Sequence, residues 1–104
     1  MKTFELSIRS RNRSELIDIT AELKKLLCEN QINDAVLTVF TPHTTAAITI
    51  NENADPDVVK DMIYGLAKLV PDDPLFQHRE GNSAAHIKSS LVGVSETLIA
   101  EEGR

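Results

Sequence analysis

The sequence predicts an α+β fold with a mostly antiparallel sheet and helices packed on one side of it. Two observations predict this class: stretches of β-branched or alternating apolar residues occur separately from stretches with helical apolar spacing, and one connection between predicted strands is too short to hold a crossover helix. The 104 residues support one domain, which we expect to span residues 1–104.

The first predicted elements are a strand and a helix. Residues 3–9 alternate between polar and apolar side chains, which is typical of a half-buried strand. After the turn "RNRS", residues from about 17 to 30 have apolar side chains at the spacing of one helix face. That face consists of Ile19, Leu23, Leu26 and Leu27.

Two further strands are predicted in the middle of the chain. The segment "AVLTVF" (35–40) is apolar on both faces, which suits a central strand, and "TTAAITI" (44–50) is rich in β-branched residues. Since only residues 41–43 separate them, we expect an antiparallel hairpin or a tight bend that places His43 where one strand meets the next.

The remaining elements begin and end at recognisable capping residues. Asp55 followed by Pro56 predicts the start of a helix that runs to about residue 70, before Pro71. Its expected buried stripe consists of Val59, Met62, Ile63, Leu66 and Val70. The segment "SAAHIKSSLVG" then predicts a short helix closed by Gly93, and "VSETLIA" predicts a strand.

Composition limits the classes of partner and the compartment. The net charge of −5 argues against nucleic acid or an anionic membrane as a partner. No stretch has the length of a membrane span, and the N-terminus lacks the apolar run of a signal peptide, so a cytoplasmic location is expected. Cys28 is the only cysteine, and we expect a passive, half-buried thiol.

All three histidines lie in two polar clusters, residues 41–57 and 78–90. Neutral imidazole is a common ligand of zinc and related metals, and carboxylates complete such sites. The carboxylates near the histidines are Glu52, Asp55 and Glu80. No two histidines have the i, i+4 spacing of a helical metal pair, so the fold must assemble any site. The spacing fits a metal site no better than it fits histidines that cap helices or form hydrogen bonds at the surface.

The segment "EGNS" (80–83) is better evidence for a site than the histidine spacing. Gly81 permits a close backbone approach, Asn82 and Ser83 supply donors, and the following helix points its positive end outward. An ordinary Asn-Ser helix cap explains the same residues, and Asp55 likewise suits either a cap or a site. No "GxSxG", P-loop or "GxGxxG" motif is present, so serine-nucleophile and nucleotide-binding schemes fit poorly.

The segments "HTTAAITINENADPDV" and "HREGNSAAHIKSSLVG" closely resemble the signature of the secondary thiamine-phosphate synthase family, also called YjbQ-like proteins. The resemblance implies a compact α+β fold on an antiparallel sheet, a homotrimer, and one site lined by both segments. It also implies weak synthase activity and a divalent metal, zinc or magnesium, held by histidines. By this resemblance, the family's histidine, glutamate and asparagine positions fall on His43, Glu52, Asn53, His78, Glu80, Asn82 and His86. With Ser83 added from the "EGNS" segment, we predict catalytic roles for Glu52, Glu80 and His86, substrate binding by Asn53, Asn82 and Ser83, and metal binding by His43, His78 and His86.

The hypothesis is a transferase that joins a hydroxymethylpyrimidine diphosphate to a thiazole phosphate and releases diphosphate. Two alternatives remain: a metal-dependent hydrolase or lyase of a small phosphorylated metabolite, and a non-catalytic trimeric module that binds a metabolite or metal. Family chains continue past the "EEGR" point through "GTWQG"-like and "EFDGPR"-like segments, whereas this sequence stops at Arg104 and contains no tryptophan. We therefore expect a fragment or a shortened member.

Overall fold

The computed structural model describes residues 1–104 and contains three helices and two strands. Their order is α1 (Thr20–Glu29), β1 (Ala35–Phe40), α2 (Pro56–Leu69), α3 (Ser83–Val92) and β2 (Ser95–Ala100). The chain divides into two compact units, one formed by Met1–Ala35 with Ala100–Arg104 and the other by Val36–Ile99. The predicted α+β class is confirmed.

The two strands form one antiparallel sheet. The main-chain N–H of Thr41, directly after β1, donates to the carbonyl of Val94, directly before β2, at 3.0 Å. The carboxyl end of one strand therefore lies beside the amino end of the other. The predicted hairpin between residues 35–40 and 44–50 is wrong, because β1 pairs with the distant β2.

The sheet is covered on one face. Exposure alternates along β1, and its outer face carries Val36 and Phe40, which are 73% and 61% exposed. Ile99 of β2 is 75% exposed. The prediction that β1 is a central strand buried on both faces is wrong, because β1 has one neighbouring strand and one covered face.

The predicted strands at residues 3–9 and 44–50 are also wrong, since neither stretch is in a strand. Alternating apolar residues favour burial of one face, but a strand also needs a partner that completes its hydrogen-bond ladder. Phe4, Leu6 and Ile8 are each more than two-fifths exposed. In the second stretch, the N–H of Ile48 donates instead to the carbonyl of Gly93 at 3.0 Å.

Helix α1 begins at Thr20, three residues later than predicted. The carboxylate of Asp18 accepts hydrogen bonds from the main-chain N–H and the hydroxyl of Thr20, which holds the chain in a turn before the helix. The predicted apolar face is confirmed, with Leu27 only 2% exposed. Cys28 lies beside that face and is exposed, so the expected half-burial of its thiol is wrong.

Helices α2 and α3 begin and end where the capping residues predict. The Asp55 carboxylate accepts from the N–H of Asp57 at 2.9 Å, and Pro56 is the first residue of α2. Helix α3 ends at Gly93, which has a φ of +100° that few other residues adopt. None of the three helices is both long and apolar enough to cross a membrane.

Candidate functional site

A tight turn brings His78 back toward helix α3. The N–H of Gly81 donates to the carbonyl of His78 at 3.1 Å. Gly81 has a φ of +72°, so this turn depends on the conformational freedom of glycine. The chain therefore reverses between His78 and the start of α3, all within the unit Val36–Ile99.

The turn places the imidazole of His78 against the imidazole of His86. The two ring centroids are 5.3 Å apart and the ring planes meet at 84°, an edge-to-face arrangement. His86 is half-buried in the first turn of α3. His78 Nε2 lies 3.9 Å from Glu80 Oε2, and both side chains are largely exposed. We call His78 and His86 the imidazole pair.

Asn82 occupies the N-cap position of α3 without acting as a side-chain cap. Its main-chain carbonyl accepts from the N–H groups of Ala85 and His86, at 3.0 and 3.3 Å. Its side-chain Oδ1 is buried and has no hydrogen-bond partner. The capping alternative is therefore confirmed for the position of Asn82 and wrong for a side-chain capping bond. Burial of an acceptor without a donor costs free energy.

His43 lies in a loop that returns to the end of α3. We call residues 42–47 the His43 loop. Its base is closed by two main-chain bonds of 3.0 Å, from Thr41 N to the carbonyl of Val94 and from Ile48 N to the carbonyl of Gly93. Within the loop, Ala46 N donates to the carbonyl of His43 at 3.3 Å. His43 itself is exposed.

Ser89 joins the His43 loop to helix α3. Its side-chain hydroxyl donates to the main-chain carbonyl of Ala46, 43 residues away in sequence. Ser89 is 5% exposed and lies one helical turn after His86. The two polar clusters of the sequence are therefore neighbours in space. Sequence reasoning missed Ser89, because "KSS" within a helix gives no sign of which serine faces inward.

The remaining predicted site residues are Glu52, Asn53 and Ser83. Glu52 is exposed, and its N–H donates to the Oδ1 of Asn51 at 2.7 Å. Asn53 is exposed in the same segment, and Ser83 is half-buried at the first position of α3. No ion pair joins Glu52 to any of the three histidines. The site roles assigned to these residues stay predictions.

The predicted metal site is not completed by this chain alone. No group of three or more histidine, cysteine, aspartate or glutamate side chains lies close enough together to hold a metal ion. His78 contacts His86 in the imidazole pair, and its Nε2 lies 3.9 Å from Glu80 Oε2. The three-histidine site predicted at His43, His78 and His86 therefore does not appear as a formed cluster, and metal binding stays a prediction.

Comparisons with known proteins agree with this architecture. A UPF0047 protein from Methanocaldococcus jannaschii is 48% identical over 101 residues, covering 97% of this chain and 73% of that protein. The UPF0047 protein YugU from Bacillus subtilis is 50% identical over 100 residues, covering 95% of this chain and 76% of YugU.

Solved structures give the same family. The crystal structure of an uncharacterized conserved YjbQ/UPF0047 protein from Clostridium acetobutylicum superposes with a TM-score of 0.87 at 48% identity. The superposition covers 93% of this chain and 75% of that one. Residues 4–104 match the family described as UPF0047 protein YjbQ-like. The chain therefore belongs to the YjbQ-like UPF0047 family.

Proposed function

We propose that the imidazole pair and the His43 loop form a binding site for a small phosphorylated metabolite. The observation that carries this proposal is the edge-to-face contact between His78 and His86 at the start of α3. Imidazole groups change charge near neutral pH, and the first N–H groups of a helix lack intrahelical partners. Both features favour an anion such as phosphate at this place.

The proposed reaction is the one implied by the sequence resemblance, that of a thiamine-phosphate synthase. The thiazole nitrogen attacks the methylene carbon of hydroxymethylpyrimidine diphosphate, a C–N bond forms, and the C–O bond to diphosphate breaks. Negative charge develops on the departing bridging oxygen. A protonated His86 or His78 stabilises that charge, and His43 adds a third donor from the loop.

Asn82 supplies a reason to prefer an aminopyrimidine over a plain phosphate ester. Its Oδ1 is a buried acceptor without a donor. The exocyclic amino group of a hydroxymethylpyrimidine carries N–H donors that satisfy such an oxygen, while the diphosphate meets the imidazoles. In this proposal Asn53 and Ser83 hold the substrate, and Glu52 or Glu80 orients the pyrimidine or accepts a proton.

We also propose that a divalent metal, zinc or magnesium, binds together with the substrate and neutralises part of the charge of its phosphates. The chain alone offers two imidazoles and one carboxylate close together, so none of the steps above depends on a metal.

The expected homotrimer is also proposed here. Exposed apolar side chains on the sheet, Val36, Phe40 and Ile99, are consistent with an interface, and light scattering tests the assembly.

The direct test is a synthase assay with both substrates, followed by mass spectrometry of thiamine phosphate. Wild-type protein is compared with His86→Ala and with the matched control Ser90→Ala, each with and without added zinc or magnesium. We expect product from wild type and Ser90→Ala, with at least a tenfold loss in His86→Ala, whose circular dichroism spectrum stays that of wild type.

Equal product from His86→Ala and wild type would contradict the assignment. Release of phosphate from simple esters, without thiamine phosphate formation, would favour the hydrolase alternative. Binding of diphosphate without turnover would favour the non-catalytic binding module. Metal content of wild type and His86→Ala, measured by elemental mass spectrometry, shows whether the imidazoles hold a metal.

A further inference from the structure

We infer that Ser89 is a positioning residue that holds the His43 loop beside the imidazole pair. The inference rests on the proposed function and adds a residue to which that proposal assigns no role. Ser89 is the one buried polar residue of the chain. Its hydroxyl leaves its own helix and donates to the carbonyl of Ala46 in the loop.

The neighbouring serine shows that this geometry is specific. A helical serine commonly bonds back to the carbonyl four residues earlier, and Ser90 does so, donating to the carbonyl of His86 at 3.0 Å. Ser90 is exposed. The Ser89 hydroxyl instead donates to the carbonyl of Ala46, 43 residues away in sequence. Its bond therefore stabilises tertiary rather than local structure.

The Ser89 bond ties the part of the loop between its two ends to helix α3. The main-chain bonds from Thr41 and Ile48 close the loop at its base. Between them, the N–H of His43 donates to the hydroxyl oxygen of Thr41 at 3.3 Å, a bond within the same segment. Ala46 N donates to the carbonyl of His43, so fixing Ala46 also fixes the turn that begins at His43.

Neighbouring turns of α3 carry the imidazole of His86 and the Ser89 hydroxyl. Ser89 follows His86 by three residues, so the two side chains lie on neighbouring positions of one helix face. Helix α3, which carries His86, therefore also holds the loop in a fixed position relative to His86. This arrangement lets a phosphate meet His43 and the imidazole pair without first ordering the loop.

The test compares wild type with Ser89→Ala, with Ser89→Thr, which keeps a hydroxyl, and with the matched control Ser90→Ala. Amide heteronuclear NOEs of residues 43–46 report loop mobility without any ligand. Histidine side-chain spectra during a titration with inorganic diphosphate report which imidazoles respond together. Histidine→Asn variants of each histidine assign the three ring signals.

In wild type and Ser90→Ala we expect all three histidine signals to move with one shared midpoint. In Ser89→Ala we expect lower NOE values at residues 43–46, loss of the His43 response, and a midpoint raised roughly tenfold. Ser89→Thr restores the His43 response. The His78–His86 signals in ligand-free Ser89→Ala stay as in wild type, which separates loss of positioning from loss of folding.

Ser89→Ala with unchanged loop NOE values and a His43 signal that still follows the imidazole pair would overturn the inference. If wild-type histidines do not respond to diphosphate, the proposed function fails instead. The ligand-free NOE comparison of Ser89→Ala with Ser90→Ala then decides the positioning role by itself.

Discussion

The hydroxyl of Ser89 donates to the main-chain carbonyl of Ala46 and so joins helix α3 to the loop that carries His43. This one bond connects the two polar clusters, residues 41–57 and 78–90, between which the sequence has twenty residues. His86, which contacts His78 in the imidazole pair, lies three residues before Ser89 on the same helix. Both relationships involve helix α3, which therefore connects the His43 loop to the imidazole pair.

Removal of the Ser89 hydroxyl should destabilise the fold. Ser89→Ala leaves the part-buried carbonyl of Ala46 without its donor, so we expect the free energy of unfolding to fall by about 1–3 kcal/mol. Ser90→Ala, on the exposed side of α3, should change it by less than about 0.5 kcal/mol. Urea denaturation measures both variants, and equal stabilities would contradict the assigned difference.

Two glycines should respond in opposite directions to alanine. Gly93 has a φ of +100° and a ψ of 161°, a region open almost only to glycine, so Gly93→Ala should destabilise by about 1–3 kcal/mol. Gly65 is inside α2, and nothing lies within 4 Å of an added Cβ, so Gly65→Ala should stabilise by about 0.5–1 kcal/mol. Thermal unfolding of both variants checks the signs, and a less stable Gly65→Ala would show that an unseen contact limits that position.

Asp55 should prove to be a helix cap. Its carboxylate accepts from the N–H of Asp57 at 2.9 Å, so Asp55→Ala should cost about 1 kcal/mol of stability. Asp55→Asn keeps an acceptor at the same position and should lose much less. Chemical denaturation ranks the three proteins. Substantial loss of diphosphate binding by Asp55→Asn, with stability retained, would instead indicate a site role.

Glu15 should titrate below the usual pH range of a glutamate. Its carboxylate accepts from the main-chain N–H of Arg11 at 2.7 Å and from the side-chain amide of Asn12 at 3.0 Å. The Arg11 bond is the largest cause that lowers the pKa of Glu15, and the Asn12 bond adds to it. Because the folded pKa is depressed, the stabilisation is present above the unfolded pKa and is lost as pH falls through the folded pKa.

The check is a carbon-detected NMR titration of Glu15 in wild type and in Asn12→Ala. We expect the variant to raise the pKa of Glu15 part of the way, since the Arg11 bond remains. A pKa that does not move, or that falls, would show that the Asn12 amide does not contribute in solution.

The elements that sequence predicted best are those fixed by local interactions. Asp55 and Pro56 specify the start of α2 through interactions that span only three residues of sequence. Gly93 closes α3 because the backbone angles at that position suit glycine. The strands at residues 3–9 and 44–50 failed, because alternation of side chains does not specify a partner. Pairing of β1 with β2 joins residues about sixty apart, which no local pattern indicates.

For the candidate site as well, the sequence predicted the features that depend on local residues and not those that depend on tertiary contacts. The histidines and Asn82 stand out as residue types, and the α3 boundary that positions His86 follows from "EGNS" and Gly93. The contact of His78 with His86 requires the turn at Gly81, and the bond from Ser89 to Ala46 requires the tertiary fold. The sequence therefore indicated the histidines and Asn82, but it indicated neither Ser89 nor the contacts that bring these residues together.

The central claim is that the His43 loop and the imidazole pair form one phosphate-binding site. Isothermal titration of inorganic diphosphate into wild type, His43→Ala, His86→Ala and Ser90→Ala tests it most directly. The account predicts one site per chain in wild type and Ser90→Ala, with affinity weakened roughly tenfold or more in both histidine variants. No binding to wild type, or wild-type affinity in His43→Ala and His86→Ala, would contradict it.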